Sequence, residues 1–251
     1  MDNKNFNGYS GFNNYYQEVG NGYINGAADV FGQAREAFQQ KVVSNSFLYM
    51  FIALIISAIS ARYASMSLLY MIAVQPMYYI VLCVAELAIV IVSNIALKKN
   101  NAILSAVLLS IYAAINGATI GIVCMFYLTS SVVQVFLITA LTFGAMAFVG
   151  LVTKKDLSKL GGLCCMAMIG VFIAAIVNIF MRSDMVTFGI CVLGVFIFVG
   201  LTAYDTQKIK KRAAFATSQN VTCYAISGAL ELYLDFINLF LYLLRIMGKR
   251  R

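Results

Sequence analysis

The stretch GALELYLDFINLFLYLLRI, residues 228–246, places Glu231, Asp235 and Asn238 inside a run otherwise apolar enough to cross a bilayer. Wound as a helix, Tyr224, Ser227, Glu231, Asp235, Asn238, Tyr242 and Arg245 follow at steps of three and four and share one face. Leu230, Leu234, Ile237, Leu241 and Leu244 make the opposite face apolar, so the polar stripe must look into protein or water rather than lipid. Two carboxylates one turn apart in a low dielectric cannot both ionise cheaply, and the pair is expected to share a proton and titrate as a unit. That property serves a proton-sensitive element in a chain without histidine, the usual pH switch. The clustered oxygens also suit a hard cation such as Ca²⁺. The plainer alternative is that Glu231 and Asp235 are protonated, hydrogen-bonding glue between helices.

Two further acids fall in apolar stretches. Asp205 lies in GLTAYDTQKIKKR, residues 200–212, where it reads either as a functional carboxylate or as a helix-end group paired with Lys208. Glu86 sits mid-span in VAELAIV, residues 84–90, with no local partner in sequence. A charge at the bilayer centre is costly, so such residues face the bundle interior and mark an ion or proton pathway.

The elements that must position these groups are membrane helices. With 62% hydrophobic residues, 11% charged residues and one proline in 251 residues, the chain is too apolar for a soluble domain, and its mean hydropathy is +0.86. Windows of roughly 20 apolar residues fall at 47–64, 77–97, 102–127, 131–152, 162–181, 186–206 and 222–246. Backbone polar groups in a bilayer must pair within their own segment, and VLCVAELAIVIV does not alternate as a barrel strand would. The expected fold is an all-α polytopic bundle of seven transmembrane helices. The first apolar run follows a long polar stretch, so no cleavable signal peptide is read.

Residues 1–26 are rich in Asn, Gly and Tyr and show no periodicity, as expected of a chain that cannot bury a core. From Ala27 to Val43, Val30, Phe31, Ala34, Phe38 and Val42 recur at helical steps. We therefore expect a disordered tail over 1–33 and a transmembrane domain over 34–251, with 34–46 an amphipathic helix on the cytoplasmic surface or docked on the bundle.

Basic residues set the orientation. Lys98 and Lys99, Lys154, Lys155 and Lys159, and Lys208 to Arg212 follow the second, fourth and sixth windows, whereas the alternate connections carry only Arg62 and Arg182. The N-terminus is expected in the cytoplasm. Arg245, Lys249, Arg250 and Arg251 resist the pattern: either the last helix is re-entrant, or seven full spans leave a basic tail outside, the reading preferred. The formal charge of +8 reflects loops that meet anionic lipid headgroups, and no nucleic-acid partner is implied. Six cysteines without metal-ligand spacing read as packing residues.

GLTAYDTQKIK (200–210) and ELYLDFINLFLYLLR (231–245) closely resemble signatures of the Bax inhibitor-1, or transmembrane Bax inhibitor motif, family. TKKDLSKLGG (153–162), NIFMRS (178–183) and AREAFQQKV (34–42) extend the resemblance over about 34–248. It implies a bacterial-type member with the C-terminal helix surrounded by six others, acting as a pH-sensitive calcium leak channel. By motif, Asp205 and Asp235 take the place of a pH-sensing aspartate pair, and Glu86 matches the second-span glutamate. Glu231, with Asn238 on the same stripe, adds to the pathway or cation-binding candidates, and Asp205, Asp235 and Glu231 together form a candidate Ca²⁺ set. Geometry alone does not demand the pair, since Asp205 lies near the surface while Asp235 lies deep in its window. Some relatives use a second-span arginine as a latch. Here Lys98 and Lys99 stand nearby, point charges without the bidentate fork.

The rival readings are a non-conducting scaffold acting through partner binding and an intramembrane aspartyl protease. The second lacks the GxGD and PAL motifs of that class. Without histidine, HExxH and Ser-His sites are excluded, and no P-loop supports ATP-driven pumping. No enzyme activity and no cofactor are expected. Ca²⁺ as permeant or bound ion, protons and the bilayer are the expected partners, and the cytoplasmic membrane the location in a bacterium.

Overall fold

The computed structural model describes residues 7–63, 65–75, 77–217 and 219–251. Eight α-helices make up the described chain: α1 (Asn7–Tyr63), α2 (Ser65–Val74), α3 (Met77–Lys98), α4 (Ala102–Met125), α5 (Thr129–Val152), α6 (Ser158–Met181), α7 (Asp184–Ala213) and α8 (Val221–Met247). Each of the seven apolar windows is helical. The count of seven nevertheless becomes eight, because the connection after the first window forms α2, a helix of 10 residues. At 1.5 Å per residue it is only about 15 Å long, too short to cross. By length and composition, Arg35–Tyr63 and helices α4 to α7 could each span a membrane.

Of the tail expected over 1–33, residues 1–6 lie outside the described residues and 7–33 belong to α1, with side chains described only from Gly32 onward. The segment 34–46, expected as an amphipathic helix on the membrane surface or docked on the bundle, is continuous with the first span in α1. No proline interrupts it, and Val42 and Ser46 are buried in the bundle, so it docks rather than floats.

Local chemistry sets the helix ends. Asn101 and Ser183 cap α4 and α7 by accepting from the N–H of Leu104 and Val186. Asp184 in the first turn of α7 and Lys210, Lys211 and Arg212 in its last complement the helix dipole. Asn100 and Arg182, with φ of 54° and 51°, take the left-handed turns after α3 and α6.

Helix α8 runs through the middle of the bundle. Leu232, Tyr233, Leu239 and Leu244 are wholly buried, and the helix packs against α1, α3, α4, α5 and α7. The expectation that six helices surround it needs correcting: among the described residues α6 packs on α7 alone and presents most of its surface outward. Helix α8 is also unbroken for 27 residues, about 40 Å, and joins the two ends of the molecule. At one end Asn100 donates to Gln219 O and Lys211 reaches Asp156. At the other, Leu128 N donates to Lys249 O and Arg251 N to Phe126 O.

Candidate functional site

Helices α7 and α8 run antiparallel in close contact, and the acids expected to do chemistry meet at their seam. Asp235 is 5% exposed, and the carboxyl of Asp205 lies within hydrogen-bonding reach of it. One oxygen of Asp235, Oδ2, is buried without a partner. A proton carried by either carboxyl would join the two. The depth mismatch read from the sequence closes because α7 does not stop near residue 206 and because α8, whose Gly228 lies against Ile209, begins beyond the end of α7. Helix α7 continues to Ala213, eight residues past Asp205, which lifts that carboxyl about 12 Å above the helix end.

Basic side chains close the acid pair off from the basic-loop end. Lys208 Nζ stands 3.3 Å from Asp205 Oδ1 and 3.3 Å from Glu231 Oε2, and Arg212 pairs with the same Glu231 oxygen. Asp205, Lys208 and Arg212 recur at helical spacing and so share a face of α7, and the pairing of Asp205 with Lys208 is one of the two readings the sequence offered for that carboxylate. Lys99 is exposed at the end of α3, and the side chain of Lys98 lies outside the described residues. The neutralising cations come from α7 itself. Below them Arg212, Tyr224 and Ser227 line a cavity of about 470 Å³ together with Asn100 and Asn220.

The rest of the polar stripe faces protein as expected, with different roles. The Asn238 amide donates to Leu234 O at 2.8 Å, bonding within its own helix. Tyr242 lies on Phe198, ring centroids 5.9 Å apart, and over Gly194. Glu86 is not brought to the carboxylate cluster. It accepts from Thr119 Oγ1 at 2.9 Å and belongs to a second network on another face of α8. There Tyr233 Oη sits 2.7 Å from Ser57 Oγ and donates to Asn116 Oδ1 at 3.1 Å, with Tyr112 edge-on to the Tyr233 ring. Sequence reading missed this network because Ser57, Asn116, Thr119 and Tyr233 carry no charge in apolar runs.

As a cation site the cluster is not assembled. Among the described residues no group of three His, Cys, Asp or Glu side chains is placed to hold a metal ion. The candidate Ca²⁺ set of Asp205, Asp235 and Glu231 has Lys208 and Arg212 on its oxygens instead. The five described cysteines, Cys124, Cys164, Cys165, Cys191 and Cys223, are free.

The all-helical architecture, with several helices apolar enough to cross a membrane, agrees with comparison to known proteins. The family model described as "Inhibitor of apoptosis-promoting Bax1" matches residues 39–251. The chain belongs to the Bax inhibitor-1 family. It is 39% identical over 217 residues to "Inner membrane protein YbhL" of Escherichia coli (strain K12), covering 84% of this chain and 93% of that protein. It is 38% identical over 222 residues to an "Uncharacterized protein" of Borreliella burgdorferi, covering 85% and 96%. "Uncharacterized protein RP147" of Rickettsia prowazekii is 34% identical over 212 residues, 81% and 87% of the two chains. As a Bax inhibitor-1 family member with several apolar helices, the chain is a multi-pass membrane protein.

Proposed function

We propose that this Bax inhibitor-1 family protein is a pH-sensitive passive leak for Ca²⁺, gated by protonation of the buried carboxylates. The observation that carries the reading is the juxtaposition of Asp205 and Asp235 inside the bundle, sealed by Lys208 and Arg212. Three carboxylates and two cations in this row leave one negative charge, which a single shared proton cancels. A neutral row suits a low-dielectric seam, and losing or gaining that proton changes the attraction between α7 and α8, a local charge event acting on two packed elements. Ca²⁺ is the transported ion, and it competes with Lys208 and Arg212 for the same oxygens. The reading needs no cofactor and no catalytic step. The polar cavity at Arg212, Tyr224 and Ser227 is the vestibule. The relative named as an inner membrane protein supports the cytoplasmic membrane as location, and the lysines at the α3/α4 and α5/α6 turns and in the last turns of α7 support a cytoplasmic N-terminus.

Purified protein in liposomes loaded with a calcium indicator tests the reading. Ca²⁺ entry above that of protein-free vesicles, requiring no nucleotide and changing with pH, is expected. Folded protein that passes no Ca²⁺ at any pH contradicts it and favours the scaffold, in which the acids are glue.

A further inference from the structure

Helices α1 and α5 both pack against α8, yet among the described residues they do not pack against each other. The gap between them holds two adjoining cavities of about 510 and 270 Å³ whose linings share Leu54, Ala58, Phe136 and Phe236. Together they follow α1 from Met50 to Arg62, about 18 Å at 1.5 Å per residue. The floor is the aromatic face of α8, where Phe136 stands edge-on to Phe236 and Phe240. Apart from one end and Ser57, whose hydroxyl is taken up by Ala113 O and Tyr233, the lining is apolar. At that end stand Arg62 and Arg251, the charged residues among the described lining residues of the two cavities. Arg251 is held there by its N–H on Phe126 O at 3.0 Å and its guanidinium on Thr129 Oγ1 at 3.2 Å.

We propose that this groove seats one acyl chain of an anionic phospholipid, with the phosphate between Arg62 and Arg251. A long apolar slot opening sideways between two spans matches a chain arriving from the bilayer. A cation pair at one end alone matches an amphiphile whose anionic head stays at the membrane surface. Guanidinium forks pair with phosphate oxygens in two-point geometry, and a basic pocket between spans is how bundles bind anionic headgroups. A zwitterionic head would bring its own cation against two arginines. The site also gives a ligand to the basic tail after α8, which lies at the end away from the lysine-rich turns. It stands on α1, α5 and α8, independently of the leak.

The chain has no tryptophan, so Phe136→Trp supplies a single fluorophore in the groove. Phe172→Trp on α6, where Phe172 is 65% exposed, supplies a lipid-facing control. In vesicles, quenching of Phe136→Trp by phosphatidylglycerol brominated on its acyl chains should exceed that by brominated phosphatidylcholine, with an apparent preference on the order of tenfold for two arginines. Phe172→Trp should show none. Adding R62Q and R251Q should abolish the preference, while R62K with R251K, which keeps both charges, should retain part of it and show the groove intact. Equal quenching by the two lipids, or a preference that survives R62Q/R251Q, overturns the proposal. So does arginine-dependent quenching by a brominated fatty acid but not by the phospholipid, since the ligand would then be a free fatty acid.

Discussion

At the scale of single residues, position in a network decides what each polar group does. Tyr233 is wholly buried and its hydroxyl serves both Ser57 and Asn116. Tyr233→Phe leaves the half-buried Asn116 amide oxygen without its donor, a loss of about 1 kcal/mol. A lower thermal unfolding midpoint in detergent should register it, while the pH profile of Ca²⁺ flux stays as in the unmodified chain because this network lies away from α7. Outside the spans, Lys211 sits 2.5 Å from Asp156. Hydrogen bonds from Lys211 and then Ser158 hold the Asp156 carboxyl down at about 2. Because the folded group is more acidic than an ordinary carboxylate near 3.9, its contribution is present above that value and fades as pH falls towards about 2. Asp156→Asn should therefore be slightly less stable than the parent at pH 6, and the difference should vanish near pH 2 in melting curves. Asp205, Asp235 and Glu231 were legible in the sequence because charge in an apolar run is conspicuous. The uncharged Tyr233 network was not.

At the scale of helices, approach distance matters most where glycine faces backbone. A Cβ on Gly117 of α4 would lie 2.5 Å from Ser57 Cα and 2.8 Å from its carbonyl carbon in α1. Gly117→Ala must push the two helices apart, at about 1–3 kcal/mol, and should lower the unfolding midpoint. Gly170→Ala on α6, where the new methyl meets nothing within 4 Å, should leave it unchanged. Hydrophobic windows identified seven of the eight helices, since a 20-residue apolar run has few alternatives in a bilayer. They missed α2, whose 10 residues are too short to register. They also ended the sixth span at residue 206 where α7 runs to Ala213, because the lysines read as loop when they are the helix's own last turns. That error of two turns helped to make the Asp205 and Asp235 pairing look geometrically doubtful.

For the whole molecule, α8 runs unbroken between the two ends of the bundle. Residue 155 and residue 251 lie at opposite ends, so tags placed there should react with a membrane-impermeant reagent from opposite sides of oriented vesicles. Reaction from one side would contradict the through-going helix. The peripheral place of α6 could not be read from the sequence: its apolar run resembles those of the packed helices, and only tertiary contact tells lipid-facing from buried. The central claim is that protons act on the leak through the Asp205 and Asp235 pair, and its most direct test is Ca²⁺ entry into indicator-loaded liposomes across a pH series for the parent chain, Asp205→Asn and Asp235→Asn. The account predicts entry that varies with pH in the parent and loses that variation in both variants, with each protein eluting as a folded species. A pH dependence that persists unchanged in either variant would contradict it.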